Sequence, residues 1–161
     1  MNRTETDETE VKDINRKIIK DIVNGDEPRF DEFGGYGAFV SSIFKKAKND
    51  IKASGGFCNH VEHLFRCLRA KKIGPSAIFD YTQDQFFEIL NEVYSNGISW
   101  GRLVVCYIFI IDACQNEDLK IAGVTLELIG EISIRYFEEK LAAWVADYNP
   151  RIKNMIEKRR N

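Results

Sequence analysis

Apolar residues recur at helical spacing along most of the chain and fill one stretch almost completely. From Glu10 onward Val11, Ile14, Ile18 and Ile22 fall three or four positions apart, with Ile19 and Val23 widening the stripe. This predicts an amphipathic first helix that stops at Asn24-Gly25, ahead of Pro28. Residues 25–37, with Pro28 and the glycines Gly34, Gly35 and Gly37, read as a mobile loop. A second helix is expected from about Tyr36 to Ala53, with Phe39, Val40, Ile43, Phe44, Ala47 and Ile51 on one side and lysines on the other; Gly55-Gly56 ends it. A third runs from about Phe57 to Ala70 on Phe57, Val61, Leu64, Phe65 and Leu68, and its basic end (Arg69, Lys71, Lys72) suits a helix C-terminus. After Gly74-Pro75 a fourth begins near Thr82, with Phe86, Ile89, Leu90, Val93 and Tyr94.

The next stretch breaks the amphipathic rule. Asn96-Gly97 is a turn signal and Ser99 a helix cap, and from Leu103 to Ile111 the only polar group is the phenol of Tyr107. A helix apolar on every side has to be surrounded by protein or lipid. At roughly 12 residues to Cys114 it is too short for a bilayer, which takes about 20. The reading is a buried central helix with Ser99, Trp100, Gly101 and Arg102 at its solvent-facing mouth. Beyond the connection Asn116-Glu117-Asp118, a sixth helix carries Ile121, Val124, Leu128, Ile132 and Tyr136, is extended by Trp144, Val145 and Tyr148, and gives way at Pro150 to a last short helix ending in Lys158-Arg159-Arg160. No alternating pattern competes. The expected fold is all-α, a globular bundle of seven to eight helices around one buried apolar helix.

Composition narrows the function. A chain of 161 residues with 44% apolar and 30% charged residues is one globular domain, placed at residues 10–158 between a polar, frayed 1–9 and a basic tail at 159–161. A net charge of −2 gives no case for nucleic acid, which needs a concentrated basic face. Four cysteines without a signal peptide suggest a reducing compartment, and no apolar run reaches membrane-spanning length.

Two motifs bring a family into view. Gly97-Ile98-Ser99-Trp100-Gly101-Arg102 resembles the first homology motif of the Bcl-2-like regulators of apoptosis, Asn-Trp-Gly-Arg after a Gly at the mouth of a buried helix, with Ser99 in place of Asn. Trp144-Val145-Ala146-Asp147 is similar to the second motif, although Asn149-Pro150-Arg151 replaces its Gly-Gly-Trp turn. Val40, Phe44, Ala47 and Ile51 fit the four apolar positions of the third motif, but Lys48 and Asn49 stand at its small and acidic positions; the first helix would be the fourth motif. The resemblance spans about residues 10–158.

The resemblance implies a non-enzymatic, monomeric chain whose hydrophobic groove receives the amphipathic BH3-type helix of a pro-apoptotic partner. Arg102 would meet the ligand's Asp with a charge-assisted bond, Gly101 would let the ligand backbone approach, and Ser99 would hydrogen-bond with less reach than Asn. Ile51, Phe57, Val61, Leu64, Ile89, Val93 and Val105 would line the groove, while Trp100, Trp144 and Asp147 would serve the structure. Lys48 and Asn49 spoil the third motif as a ligand, which favours a pro-survival role over that of a pore-forming effector; a helical scaffold with no apoptotic role is the remaining alternative. No cofactor is implied. The expected location is the cytoplasm, including the outer mitochondrial or endoplasmic reticulum surface, where a membrane anchor often follows the last helix in this family.

Two other constellations carry less. Gly97-x-Ser99-x-Gly101 also spells a hydrolase nucleophile elbow, but that needs a preceding strand and a later His, whereas His60 and His63 both come before Ser99. Cys58, His60, His63 and Cys67 have donor types and spacing able to hold a soft metal, yet four ligands on one short helical segment do not readily make a tetrahedron. Exposed histidines and half-buried thiols are the preferred reading, with no metal assigned.

Overall fold

A computed structural model describes residues 3–148. The short helix expected after Pro150 and the cluster Lys158-Arg159-Arg160 lie outside the described residues. Seven α-helices and one 3-10 turn are followed by further helical backbone at 142–148, with no strand among the described residues. The helices are α1 (Arg3–Val23), α2 (Tyr36–Ala53), α3 (Cys58–Lys71), α4 (Ile78–Val93), α5 (Trp100–Gln115), α6 (Glu117–Ile121) and α7 (Leu126–Lys140); the 3-10 turn, Phe30–Phe33, lies between α1 and α2. The protein is an all-α globule.

Helix α5 is the centre of it. Nine of its 16 residues are buried, among them Leu103, Tyr107, Phe109 and Ile110, and it packs against α1, α2, α3, α4 and α7. Ser99 caps it as the sequence suggests, its Oγ accepting the Arg102 N–H at 3.2 Å. Phe109 sits between Phe57 and Phe86, with ring centroids 5.6 and 5.3 Å away, so an aromatic from α4 and one at the start of α3 are fastened to the middle of α5. The most extensive helix pairing is α1 with α7. Gly130 permits it, since a Cβ there would stand 2.9 Å from the Val23 side chain.

A buried polar chain crosses this apolar centre. The Tyr107 hydroxyl donates to Asn15 Oδ1 at 2.8 Å and lies 3.0 Å from the Tyr36 hydroxyl. A phenol has one proton, so with that of Tyr107 committed to Asn15, Tyr36 donates to Tyr107. All three residues are fully buried, and burial pushes both phenols well above their ordinary pKa.

Four expectations are corrected. The polar residues from Arg3 to Thr9 are helical, because α1 continues toward the N-terminus beyond Glu10. Residues 25–37, expected as a loop, hold the 3-10 turn and the first residues of α2. Phe30 is buried against Phe44 and Tyr107, and Arg29 ties the segment back to α1 by donating from its backbone N–H (3.0 Å), Nε (3.3 Å) and Nη2 (3.0 Å) to the nearly buried Asp21 carboxylate. A Cβ on Gly37 would collide with the Phe30 carbonyl, so that glycine is required by the docking of the turn. Helix α4 begins at Ile78, before Thr82. The single sixth helix is three pieces: α6 ends at Ile121, Gly123 takes φ 99°, and Thr125 caps α7 by accepting the Leu128 N–H at 3.1 Å; the helical backbone breaks again at Leu141. Val124 is buried in the connection, so its apolar spacing reports burial there and not helix continuity.

Candidate ligand-helix site

The residues quoted from the first motif form the mouth of α5. Gly101 is exposed, and a Cβ added there would meet nothing within 4 Å, so the surface over its Cα is open. Arg102 is half-buried; its Nη1 donates to the Gly97 carbonyl at 2.8 Å, and no carboxylate among the described residues pairs with it. Its own carbonyl accepts a bond from the Tyr94 hydroxyl at 3.3 Å, which ties the end of α4 to the start of α5. A cation at a helix N-terminus opposes the helix dipole. Here one backbone carbonyl offsets it, leaving guanidinium donors for a further acceptor.

Trp100 is half-buried among other rings. Its ring packs on Phe39 (5.2 Å), Trp144 (5.1 Å), Tyr36 (6.3 Å) and Tyr148 (6.2 Å). The Trp144 ring meets Tyr148 at a tilt of 45° with centroids 4.7 Å apart, while Asp147 is exposed. The two quoted motifs therefore meet in space through their tryptophans, and the aromatic cluster closes the base of the α5 mouth. That cluster was legible in part: both tryptophans were singled out, but nothing in the spacing brought Phe39 and Tyr148 to them.

The predicted groove walls do not share one trough. Leu64 is fully buried and lines neither of the clefts described below, and Val61, 1% exposed, reaches one of them only from the core side. Ile51 and Val61 border a cleft of about 560 Å³ between α2, α3 and the end of α5, together with Ile108, Ile111 and Asp112. Ile89 faces a different cleft, of about 320 Å³, between α3 and α4, whose other walls are Asn59, His60, His63, Gln85, Glu88 and Glu92. Phe57, Val93 and Val105 are half-buried and line neither. Ser99, Gly101 and Arg102 stand apart from both clefts, near the α4–α5 corner.

Asp112 is the group that sequence reasoning missed. Near the C-terminal end of α5 it is half-buried, its Oδ2 accepts the Phe57 N–H at 3.2 Å, and a Cβ on Gly56 would sit 3.4 Å from the same oxygen. Burial raises the carboxyl above its ordinary range, opposed by the Phe57 bond and by Lys48. A carboxylate one step past a nine-residue apolar run was visible in the sequence; that a backbone N–H from the α2–α3 turn would hold it was not.

Of the donor types named for a soft metal, His63 Nε2 lies 3.6 Å from Cys67 Sγ, one turn apart on α3, while the His60 ring meets Phe57. Among the described residues no three His, Cys, Asp or Glu side chains gather as a metal site would require. Cys106 and Cys114 are buried thiols, pushed by burial up to about 12 and about 11, and behave as small apolar residues. No protein-family model matches the chain, and no solved structure matches it.

Proposed function

We propose that this chain is a non-enzymatic, groove-bearing regulator of apoptosis that sequesters the amphipathic helix of a pro-death partner. The observation that carries the reading is the state of Arg102: a half-buried residue at a helix N-terminus whose guanidinium donates to a single carbonyl and pairs with no carboxylate among the described residues, beside a glycine with open space above it. A ligand helix carrying an Asp would supply the missing anion while its backbone passed over Gly101. Lys48 favours a sequestering role over a killing one. It lies half-buried, 4.0 Å from Glu27, where a displayed ligand helix would need a small residue.

A second reading, a helical scaffold with no apoptotic role, is favoured by one specific observation. Val61 and Leu64 are already covered, so a ligand's apolar anchors would have to displace part of the α3–α4 packing to reach them. Calorimetric titration with four-anchor, small-Asp helical peptides separates the two. Binding that Arg102→Ala weakens by about 1.5–3 kcal/mol, and that Gly101→Glu abolishes, supports the groove. Wild type and Arg102→Ala binding alike would remove Arg102 from the site, and no binding to any such peptide would leave the scaffold.

A further inference from the structure

The C-terminal part of α3 and helix α6 pack side by side, and with the residues that follow each they carry an unusual surface. Ile121, the last residue of α6, is 78% exposed, more than any other large apolar side chain among the described residues. It stands at the rim of a cleft of about 500 Å³ whose apolar walls include Phe65, Leu68, Ile73 and Ile78. Among the residues bordering this cleft the cations outnumber the acids. From Arg66 to Phe79 the sequence has four cations and no carboxylate. Arg69 and Lys72 are exposed, border the cleft, and pair with no carboxylate among the described residues. Lys71 is exposed with its ammonium 5.2 Å from the centre of the Tyr81 ring, and Lys120 flanks Ile121 while pairing with Glu117 at 3.3 Å. Asp118 is the one acid bordering the cleft.

An exposed isoleucine costs free energy in water, and the exposed Arg69 and Lys72 carry long apolar stems beside the same cleft. We propose that this end of the molecule is a docking surface for an anionic lipid bilayer, with Ile121 entering the interfacial layer and Arg69 and Lys72 meeting lipid phosphates. A bilayer supplies apolar depth and mobile anions at once and adapts to the spacing of the two helices. A folded acidic partner would have to supply both in fixed register around a side chain that projects. The contact is interfacial, and no described helix is long and apolar enough to cross a membrane. The proposal stands independently of the α5 mouth.

Co-sedimentation of the full chain with vesicles tests it. Binding is expected to phosphatidylcholine vesicles containing phosphatidylserine and not to phosphatidylcholine alone, and to fall as salt is raised. Each of Arg69→Glu and Lys72→Glu should lower partitioning by about fivefold or more. Ile121→Asp should lower it by about tenfold, with helix content by circular dichroism unchanged because the residue is exposed. The charge-matched control Lys45→Glu/Lys46→Glu, on the exposed side of α2, should bind as wild type. Equal binding to neutral and anionic vesicles, no binding, or equal loss in the control would overturn the proposal. So would capture by soluble polyglutamate without capture by vesicles, which would make the surface a protein-docking face.

Discussion

The two ends of the central helix are built in opposite ways. At its start Ser99 caps the backbone and Trp100 sits in an aromatic cluster with Phe39, Trp144 and Tyr148, so large rings from three parts of the chain close the space below the mouth. At its other end the side chains are aliphatic or polar, and two clefts of about 500 and 560 Å³ meet across Lys48, Ile111 and Gln115. A half-buried carboxylate, Asp112, stands there in place of a ring. Bulk at one end gives a fixed base under an open surface. Its absence at the other leaves volume that burial cannot fill, and a charge that burial disfavours.

The largest effect should come from removing the bulk. Trp100→Ala should cost about 3 kcal/mol in a denaturant titration, since the ring is half-buried yet touches four other aromatics. A loss well under about 1 kcal/mol would mean that the cluster does not hold the mouth together. Next in size is the cap. Ser99→Ala should cost about 1 kcal/mol by leaving the Arg102 N–H without its acceptor, and a null result would place the strength of that end in the rings alone.

The smallest effect should have the opposite sign. The folded-state pKa of Asp112 is raised, first by burial, so its contribution is favourable while protonated and is lost as pH rises through that folded value. Asp112→Asn keeps an oxygen for the Phe57 N–H and removes the charge, so Tm at neutral pH should rise slightly and the gain should shrink as the solution is acidified. Asp21 provides the contrast. Burial pushes its carboxyl up, but the bonds from Arg29 outweigh that and hold it below the ordinary range, so its contribution is present at neutral pH and lost as pH falls through the lowered value. Asp21→Asn should therefore lower Tm at neutral pH. If both substitutions shifted Tm in the same direction, the Arg29 bonds would not be what distinguishes the two carboxylates.

Much of the fold was legible because it depends on short-range pattern. The bounds of α2 follow from the stripe Val40, Phe44, Ala47 and Ile51 and the Gly55-Gly56 stop, and the Ser99 cap and the burial of α5 follow from local chemistry. What failed depended on partners distant in sequence. Phe30 and Arg29 looked like loop residues until Phe44, Tyr107 and Asp21 were beside them. Val124 keeps helical spacing with its neighbours although Gly123 has already turned the chain. The open position of Gly101 at the mouth of α5 was legible, since it follows from lying in the first turn of the helix. The candidate site was poorly legible at its walls, because a stripe such as Val61 and Leu64 does not say whether it faces a ligand or the core.

The chain of Asn15, Tyr107 and Tyr36 has a consequence for how this sequence selects one packing among its competitors. Helices made of Ile, Leu and Val can slide or rotate against one another with little loss, since one aliphatic contact replaces another. A shift of α5 by one residue would swing the Tyr107 hydroxyl away from Asn15, a partner 92 positions distant, and leave dry, unpaired polar groups in the interior. The near-native alternatives are thereby raised in energy even where their apolar contacts are as good. The phenol that interrupts the apolar run of α5 acts as a key that admits a single register of α1, α2 and α5, and it widens the gap between the native arrangement and its nearest misfolded neighbours.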